Sequence, residues 1–255
     1  GLNIPIVVCE RIDCHYHRIP LLYEKIRPLF YLSAHKIVVQ TNHAASYFKR
    51  KLRALVQVIP NPVLEVNNKK VYSEKVQSII TLGRLNKQKD HKTLIQAFAR
   101  VCQHHPHLYL TIYGEGEERN NLQALIHTLN LQEKVFLPGL ISSVHDKLLK
   151  ADLFVFPSLY EGFPNALCEA MSVGLPVIAS NCSGNTDIIR DTINGRFFPT
   201  GDVSALASVM DELIHDFDQR QRLGQAAKNI HQQFHPHNIF KMWDDIIFKA
   251  TENIF

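Results

Sequence analysis

Short apolar runs alternate with amphipathic helical segments from residue 76 to residue 198, and this alternation constrains the fold more than any other feature. The strand-like runs lie at 76–82, 108–113, 135–137, 153–156 and 177–179, and the helical segments between them at 93–102, 122–129, 144–150 and 166–171. Strands that alternate with helices of this length predict right-handed βαβ units. The predicted fold class is therefore α/β, with a Rossmann-like parallel sheet covered by helices on both faces.

The first 63 residues repeat this pattern on a smaller scale. Strand-like runs at 4–9, 36–41 and 56–59 predict part of a second Rossmann-like domain. The chain has no starting Met and leads directly into a strand pattern, which predicts a chain that begins inside a domain.

A polar stretch at 64–75 has the composition of an interdomain linker. Pro236 is expected to break the last helix of the second domain, and a separate amphipathic helix follows it. The predicted division is a partial first domain at 1–63, a complete second domain at 64–235 and a C-terminal helix at 236–255.

The net charge of +4 is unevenly distributed. Residues 1–53 carry nine Lys or Arg against three Asp or Glu, so the remainder is slightly acidic. A basic segment predicts an anionic partner. The helical segment from Leu21 to Phe30 sets apolar residues beside basic ones, as in a helix lying on an anionic membrane. The alternatives are a solvated basic face and an ordinary helix that packs on the core.

The cysteines and the hydropathy of the chain indicate in which cellular compartment the protein is expected. Five Cys without a C-x-x-C pair favour a reducing compartment over a disulfide framework, and they argue against a zinc site. No apolar run reaches the roughly 18 residues of a membrane span, and no signal-peptide pattern opens the chain. We expect a cytoplasmic protein, with peripheral attachment to the inner face of the membrane as an option.

Glycine and basic residues follow the strands of the predicted second-domain sheet. Gly83, Arg84 and Lys89 follow the first strand, and Arg84 offers a guanidinium fork that suits phosphate oxygens. Gly114 and Gly116 follow the second strand; the absence of side chains lets a backbone approach a flat ligand closely. Gly139 follows the third strand. Carboxyl ends of parallel strands share one edge, where open α/β sheets bind ligands.

The fourth strand leads into Tyr160-Glu161-Gly162-Phe163-Pro164-Asn165-Ala166-Leu167-Cys168-Glu169-Ala170-Met171. Glu161 falls in the loop, and Glu169 falls about one turn into the next helix. A helix start has free N–H groups and a dipole that can hold a diphosphate. The alternative is that Glu161 is a solvated loop residue and Glu169 a helix-surface carboxylate.

Taken together, these motifs resemble the retaining GT-B glycosyltransferases of family GT4, the glycosyl transferases group 1. Glu161 and Glu169 match the family's E-x7-E motif, and the loops at 83–89 and 114–116 resemble its other donor-site segments. Residues 59–63 resemble the segment that enters the donor domain, and residues 8–11 resemble a late strand of the acceptor domain. The resemblance covers nearly the whole chain and implies a GT-B fold that lacks the first part of its N-terminal domain.

The resemblance also implies roles. Arg84 and Lys89 would neutralise the donor diphosphate without a metal ion, and Glu161 would hydrogen-bond the donor sugar. Glu169 would bind both ribose hydroxyls. The remaining residues implied to bind the nucleotide sugar are Gly83, Gly114, Gly116, Gly139, Gly162, Phe163, Asn165, Ala166 and Leu167, with the backbone N–H groups of Phe163 and Asn165 facing the sugar and phosphates.

The implied reaction transfers a sugar, with retention of configuration, to a lipid-linked or polysaccharide acceptor. The expected donor is a UDP-linked HexNAc or hexose, with no metal or other cofactor and no nucleic-acid partner. Because much of the acceptor domain is absent, we expect the isolated chain to bind nucleotide weakly and turn over little. The alternatives are a nucleotide-sugar epimerase or phosphorylase on the same fold, and a truncated nucleotide-binding module without activity.

Overall fold

The chain folds into two parallel β-sheets with helices packed around them. The computed structural model describes residues 4–16, 19–48, 50–68 and 70–252. Arg18 and Lys49 of the basic segment, Lys69 of the predicted linker, and both chain ends lie outside these residues.

The first sheet has the order β1-β2-β3 and is parallel throughout. Its strands are β1 (Val7–Glu10), β2 (Lys36–Val39) and β3 (Val56–Val58), with α1 (Leu21–Tyr31) and α2 (Asn42–Ser46) between them. Thr41 caps α2 as its position suggests, because its Oγ1 accepts from the Ala44 N–H at 3.2 Å. Helix α1 continues through Pro28, and none of its residues is buried.

The second sheet has six parallel strands in the order β6-β5-β4-β7-β8-β9. Its strands are β4 (Ser78–Leu82), β5 (Tyr109–Tyr113), β6 (Val135–Gly139), β7 (Leu153–Phe156), β8 (Val177–Ser180) and β9 (Arg196–Phe198). Its helices are α3 (His91–His104), α4 (Arg119–Thr128), α5 (Val144–Lys150), α6 (Asn165–Ser172), α7 (Val203–His215), α8 (Phe217–Lys228) and α9 (Ile230–Gln233), followed by the C-terminal α10 (Pro236–Glu252).

Core packing on the second sheet follows the alternation of side chains along each strand. Leu153 and Val155 of β7 pack with α3, α4 and α7 on one face. Phe154 and Phe156 of the same strand pack with α6 and α9 on the other face. Both faces are therefore apolar, which explains why the strands are continuous apolar runs in the sequence.

The C-terminal helix covers the first sheet. Ile239 and Ile246 of α10 are buried against Val38 of β2 and Ile59 just after β3. The carboxyl edges of the two sheets face each other across a cleft. Asn42, at the start of α2, donates its N–H to Asp187 Oδ2 at 3.0 Å, and this hydrogen bond joins the two halves of the chain across that cleft.

Pro236 lies between α9 and α10, in line with the expected break, and it begins α10 because the missing N–H of proline is tolerated in a first helical turn. The helical region before it is divided at Asn229 into α8 and α9. Gly139 is the last residue of β6 and does not follow the strand.

The stretch at 64–75 is largely exposed, but two of its side chains anchor it to the second domain. The Lys70 side chain is buried, and its Nζ donates to the carbonyls of Leu149 and Ala151 at the end of α5. Tyr72 OH donates to the Gly174 carbonyl at 2.8 Å. The buried Lys70 ammonium hydrogen-bonds carbonyls that would otherwise be unpaired at the end of α5, and these bonds hold the stretch on the second domain.

Candidate donor site at the edge of the second sheet

The order of the strands places the candidate residues at a topological switch point. Chain connections run from β4 outward to β6 on one side and from β7 outward to β9 on the other, so β4 and β7 are neighbours in the middle. The loops that leave these two strands therefore diverge and open a crevice at the carboxyl edge. Lys89 lies in the first loop and Glu161 in the second.

The loop after β4 is held by its own backbone. The Gly83 N–H donates to the Tyr113 carbonyl at 3.0 Å, and the Leu85 N–H donates to the Glu115 carbonyl at 2.9 Å. Leu85 is completely buried, whereas Arg84 between them is exposed. Within the described part of the chain the Arg84 guanidinium has no hydrogen-bond or ion-pair partner, so it is free to bind an anion.

The glycines after β5 pack closely against this loop. A Cβ on Gly114 would lie 1.9 Å from the Gly83 carbonyl oxygen, and one on Gly116 would lie 2.3 Å from that of Leu85. Both glycines therefore allow a close approach between two protein backbones. These two glycines position Arg84 by allowing the two loops to touch.

Gly139 lies against the side chain of Glu115, in the loop that follows β5. It has φ of +89°, and a Cβ there would lie 2.9 Å from Glu115 Oε1. Arg119 Nε donates to Glu115 Oε2 at 2.8 Å, and these hydrogen bonds lower the pKa of the Glu115 carboxyl.

An open cavity brings together part of the predicted set. Gly83, Arg84, Gly114 and Glu169 line it, whereas Gly116 and Gly139 do not. Its remaining wall includes the apolar side chains of Leu140, Ile141 and Val144, which no motif in the sequence singled out. A cavity with one guanidinium, one carboxylate and an apolar wall suits a nucleoside with an attached phosphate.

Glu169 is half-buried at the base of this cavity. Burial raises the pKa of its carboxyl above the usual value, and the nearby charge of His145 lowers it in part. His145, on α5, was not singled out by the sequence, because its proximity to Glu169 depends on how α5 packs beside α6.

Glu161 is buried and ion-paired. Its Oε1 lies 2.6 Å from Lys89 Nζ, and the two side chains are 7% and 17% exposed. Lys89 Nζ also lies 4.7 Å from the centroid of the Phe156 ring. The two side chains thus form a mostly buried ion pair, and neither lines the cavity that contains Arg84 and Glu169.

The turn that carries Glu161 is held by a glycine that the sequence analysis did not assign a role. Gly184 follows β8 with φ of +84°, and a Cβ there would lie 2.8 Å from both Glu161 Cβ and the Glu161 carbonyl oxygen. The Glu161 N–H donates to the Ser183 carbonyl at 3.1 Å. The available signal was the position of Gly184 at a strand end, which it shares with Gly83 and Gly114.

The start of α6 offers some of the expected N–H groups. The Asn165 N–H donates to the Phe163 carbonyl at 3.0 Å, so in this structure it has a partner within its own turn. The backbone N–H groups of Gly162, Phe163, Ala166 and Leu167 have no partner within the described residues. The side chains of Phe163 and Leu167 are buried, so these two residues offer only backbone to a ligand.

The first sheet approaches this site from across the cleft. A Cβ on Gly162 would lie 2.8 Å from the Arg11 carbonyl oxygen at the end of β1, and the Tyr16 and Tyr160 rings are stacked at 4.4 Å. Asn61 accepts from Arg11 Nη1 at 3.0 Å and donates to Asn165 Oδ1 at 2.9 Å. The crevice is therefore closed on one side by the first domain.

Two facing Rossmann-like domains, with cations and carboxylates at the cleft edge of one of them, define the GT-B class of nucleotide-sugar-dependent enzymes. The chain belongs to the family described as glycosyl transferases group 1, whose profile it matches over residues 65–230.

Relatives agree with this membership, and a solved structure shares the fold. An uncharacterised glycosyltransferase of Methanocaldococcus jannaschii is 32% identical over 89% of this chain and 67% of its own length. The N-acetylgalactosamine-N,N'-diacetylbacillosaminyl-diphospho-undecaprenol 4-alpha-N-acetylgalactosaminyltransferase of Campylobacter jejuni is 32% identical over 59% of this chain and 40% of its own length. The crystal structure of Anabaena Alr3699/HepE in complex with UDP has a TM-score of 0.85 at 20% identity, over 96% of this chain and 72% of that chain. The chain thus spans between two fifths and about seven tenths of these proteins.

Proposed function

We propose that this chain carries the donor site of a retaining glycosyltransferase that uses a nucleotide-diphospho-sugar. The observation that carries the proposal is the convergence of Arg84, Lys89, Glu161 and Glu169 at one switch point, beside the unpaired N–H groups at the start of α6. Arg84 and Lys89 bind the diphosphate and stabilise the departing nucleotide. Glu169 accepts hydrogen bonds from the ribose, and Glu161 orients the sugar.

The diphosphate is held without a metal ion in this proposal. The exposed Arg84 guanidinium and the Lys89 ammonium supply two positive charges, and the N–H groups of Phe163 and Ala166 add donors that need no counter-ion. Donor binding is therefore expected to be insensitive to chelators.

Transfer proceeds on one face of the sugar. The bond between the anomeric carbon and the phosphate oxygen breaks, and its electron pair leaves with the nucleotide. The acceptor oxygen then bonds to the anomeric carbon, and its proton passes to the leaving phosphate. Glu161 is not assigned as a covalent nucleophile, because its carboxylate is buried and paired with Lys89 at 2.6 Å.

The proposed donor is a UDP-linked HexNAc or hexose, and the proposed acceptor is a lipid-linked or polysaccharide glycan. Support comes from the Campylobacter jejuni relative, whose name describes transfer of N-acetylgalactosamine to a diphospho-undecaprenol-linked sugar. The presence of UDP in the Anabaena structure supports the proposal that the donor nucleotide is UDP.

Calorimetry with UDP tests the donor site. We expect the wild-type chain to bind UDP, and Arg84→Ala and Glu169→Ala each to weaken binding at least tenfold. Arg190→Ala, which removes a guanidinium from the loop before β9, serves as the charge-matched control. Equal affinity in all four proteins would contradict the proposal.

Product analysis separates the rival functions. Incubation with UDP-GlcNAc and UDP-glucose, with inorganic phosphate and with glycan acceptors, distinguishes transfer from epimerisation and from phosphorolysis. UDP binding without any product from the chain, in the presence of lipid-linked acceptors, favours a nucleotide-binding module without activity.

Helix α1 supports a second part of the proposal, a peripheral contact with an anionic membrane. Leu21, Leu22, Leu29 and Phe30 are between 65% and 80% exposed, so the face is not packed on the described core. Lys25 is exposed on the same helix. No helix in the described residues is long and apolar enough to cross a membrane.

Sedimentation with anionic vesicles tests this contact. We expect the wild-type chain to bind vesicles that contain phosphatidylglycerol and to be released in part by high salt. Leu22→Glu with Phe30→Glu should abolish binding, and Val71→Glu, which changes an equally exposed apolar residue elsewhere, should not. Binding that survives both the double substitution and high salt would contradict the assignment.

A further inference from the structure

Asp13, His15 and His43 form a compact cluster beside the cleft that the donor site does not use. Asp13 Oδ1 lies 2.7 Å from His15 Nδ1, and Oδ2 lies 2.6 Å from His43 Nδ1. The His15 N–H also donates to Asp13 Oδ1 at 3.0 Å. One carboxylate thus contacts two imidazole nitrogens through separate oxygens.

Among the residues that the structure describes, no Lys or Arg forms an ion pair with Asp13. Asp13 is completely buried, and its partners within the described chain are the two imidazoles and a backbone N–H. Glu161, the other carboxylate buried to a similar degree, is paired with Lys89. A buried carboxylate without a cationic partner is costly, and a bound cation would remove that cost.

We propose that Asp13, His15 and His43 bind a divalent transition-metal ion of the zinc type through one carboxylate oxygen and two imidazole nitrogens. Two imidazoles and one carboxylate are a donor set that zinc accepts, with a further position left open for water or for a ligand oxygen. Ligand atoms around tetrahedral zinc lie ~3.4 Å apart, given metal–ligand bonds of about 2.1 Å. The imidazoles must therefore withdraw by ~0.7 Å from Asp13. Their side chains are 34% and 39% exposed, so they have room to move and the ion has a path of entry.

The cluster lies next to the loop that carries Glu161 of the candidate donor site. Gly162 lies against the backbone of this loop, since a Cβ on it would be 3.7 Å from the Asp13 N. The Tyr16 ring stacks on Tyr160, the residue before Glu161. The ion would lie on the first-domain side of the cleft, separate from Arg84 and Lys89. The cysteine pattern argues against a zinc site, but the proposed ligands are not cysteines. They come from the loop after β1 and the first turn of α2, which the parallel pairing of β1 and β2 brings together.

A second histidine cluster provides an internal comparison. His105 Nε2 lies 2.8 Å from Asp211 Oδ1, and His215 Nδ1 lies 3.7 Å from Asp211 Oδ2. Asp211 is 48% exposed, so water solvates its charge and no cation is needed. We expect this cluster to bind zinc more weakly than the cluster at Asp13.

Zinc titration of the untagged, EDTA-treated and dialysed chain tests the proposal. Calorimetry should detect one tight Zn²⁺ site. Co²⁺ bound at the same site should give the visible absorption bands of a low coordination number. His43→Gln and Asp13→Asn should each weaken Zn²⁺ binding at least tenfold. His215→Gln, in the second cluster, and Cys9→Ser, at the exposed cysteine, should change it less than twofold.

Zn²⁺ binding that is absent from the wild-type chain, or equally tight in His43→Gln, would overturn the proposal. If Asp13→Asn does not fold, His43→Gln and His15→Gln decide the matter, because both rings are partly exposed and their loss leaves the core intact. UDP titration of the same samples keeps the two sites distinguishable. Loss of UDP binding alone would contradict the proposed donor site, and loss of Zn²⁺ binding alone would contradict this one.

Discussion

Lys89 Nζ lies 2.6 Å from Glu161 Oε1, and this ion pair joins the loops that leave the two central strands of the second sheet. Both side chains are mostly buried, so loss of either one would leave the other buried without its ion-pair partner. A bound diphosphate and sugar would offer each of them a new partner.

Removing one member of the pair should destabilise the chain more than removing both. We expect Lys89→Met to lower the free energy of unfolding by about 3 kcal/mol, because it leaves the Glu161 carboxylate buried without a cation. Adding Glu161→Gln to Lys89→Met should recover a large part of that loss. Urea unfolding of the wild type, both single variants and the double variant measures the coupling. Strictly additive losses would show that the two side chains do not depend on each other.

Gly114→Ala should damage the donor site through the backbone. A Cβ at Gly114 would lie 1.9 Å from the Gly83 carbonyl oxygen, so the loop that carries Arg84 must move. We expect UDP affinity to fall at least tenfold, which corresponds to about 1.4 kcal/mol. Calorimetry with UDP and thermal unfolding measure the two effects.

Gly201→Ala is the matched control. Gly201 also has a positive φ, of +77°, but nothing lies within 4 Å of a Cβ added there. We expect it to lose about 1 kcal/mol of stability from backbone strain and to keep its affinity for UDP. Equal loss of UDP affinity in both variants would contradict the role given to Gly114.

The sequence predicts the sheet and the edge at which the candidate residues gather, because carboxyl ends of parallel strands share one edge. It does not predict that Lys89 meets Glu161, since this contact depends on β4 and β7 being neighbours, and the alternation of strands and helices is compatible with several strand orders. The same limit applies to His145, which reaches Glu169 only through the packing of α5.

Polar composition does not predict the exposure of a side chain that has a buried hydrogen-bond partner. Lys70 lies in a stretch with the composition of a linker, yet it is buried against helix-end carbonyls. Gly114 and Gly116 lie at the predicted edge, and the sequence does not indicate that a Cβ on either would meet the backbone of the loop after β4. Residue type indicates what a group can bond, whereas tertiary packing decides which partner it finds.

His91 should make the stability of the chain depend on pH. It is buried at the start of α3, and burial, together with the positive charge of Lys89, lowers the pKa of its imidazole to about 4. In the unfolded chain the pKa is about 6.5. The unfolded state therefore binds more protons between these values, and stability present above pH 6.5 is lost as the pH falls toward 4.

His91→Gln removes this titration. We expect the wild-type free energy of unfolding to fall by up to about 3 kcal/mol more than that of His91→Gln between pH 7 and pH 4. Urea unfolding at a series of pH values gives both curves, and the other carboxylates and imidazoles titrate equally in the two proteins. Parallel curves would show that His91 keeps an ordinary pKa.

Glu169 should make nucleotide binding depend on pH in the same direction. Burial raises the pKa of this carboxyl, with the charge of His145 acting against the shift, so Glu169 takes up a proton at a higher pH than an exposed glutamate. Protonation removes the charge with which Glu169 accepts hydrogen bonds from the ribose hydroxyls. UDP affinity should therefore fall as the pH is lowered through the raised pKa.

Glu169→Gln should bind UDP more weakly at pH 8 and lose less affinity between pH 8 and pH 5 than the wild type does. Calorimetry of both proteins over this range measures the difference, and the protonation of UDP itself cancels because it is common to both. A wild-type curve that runs parallel to the Glu169→Gln curve would place the ribose elsewhere.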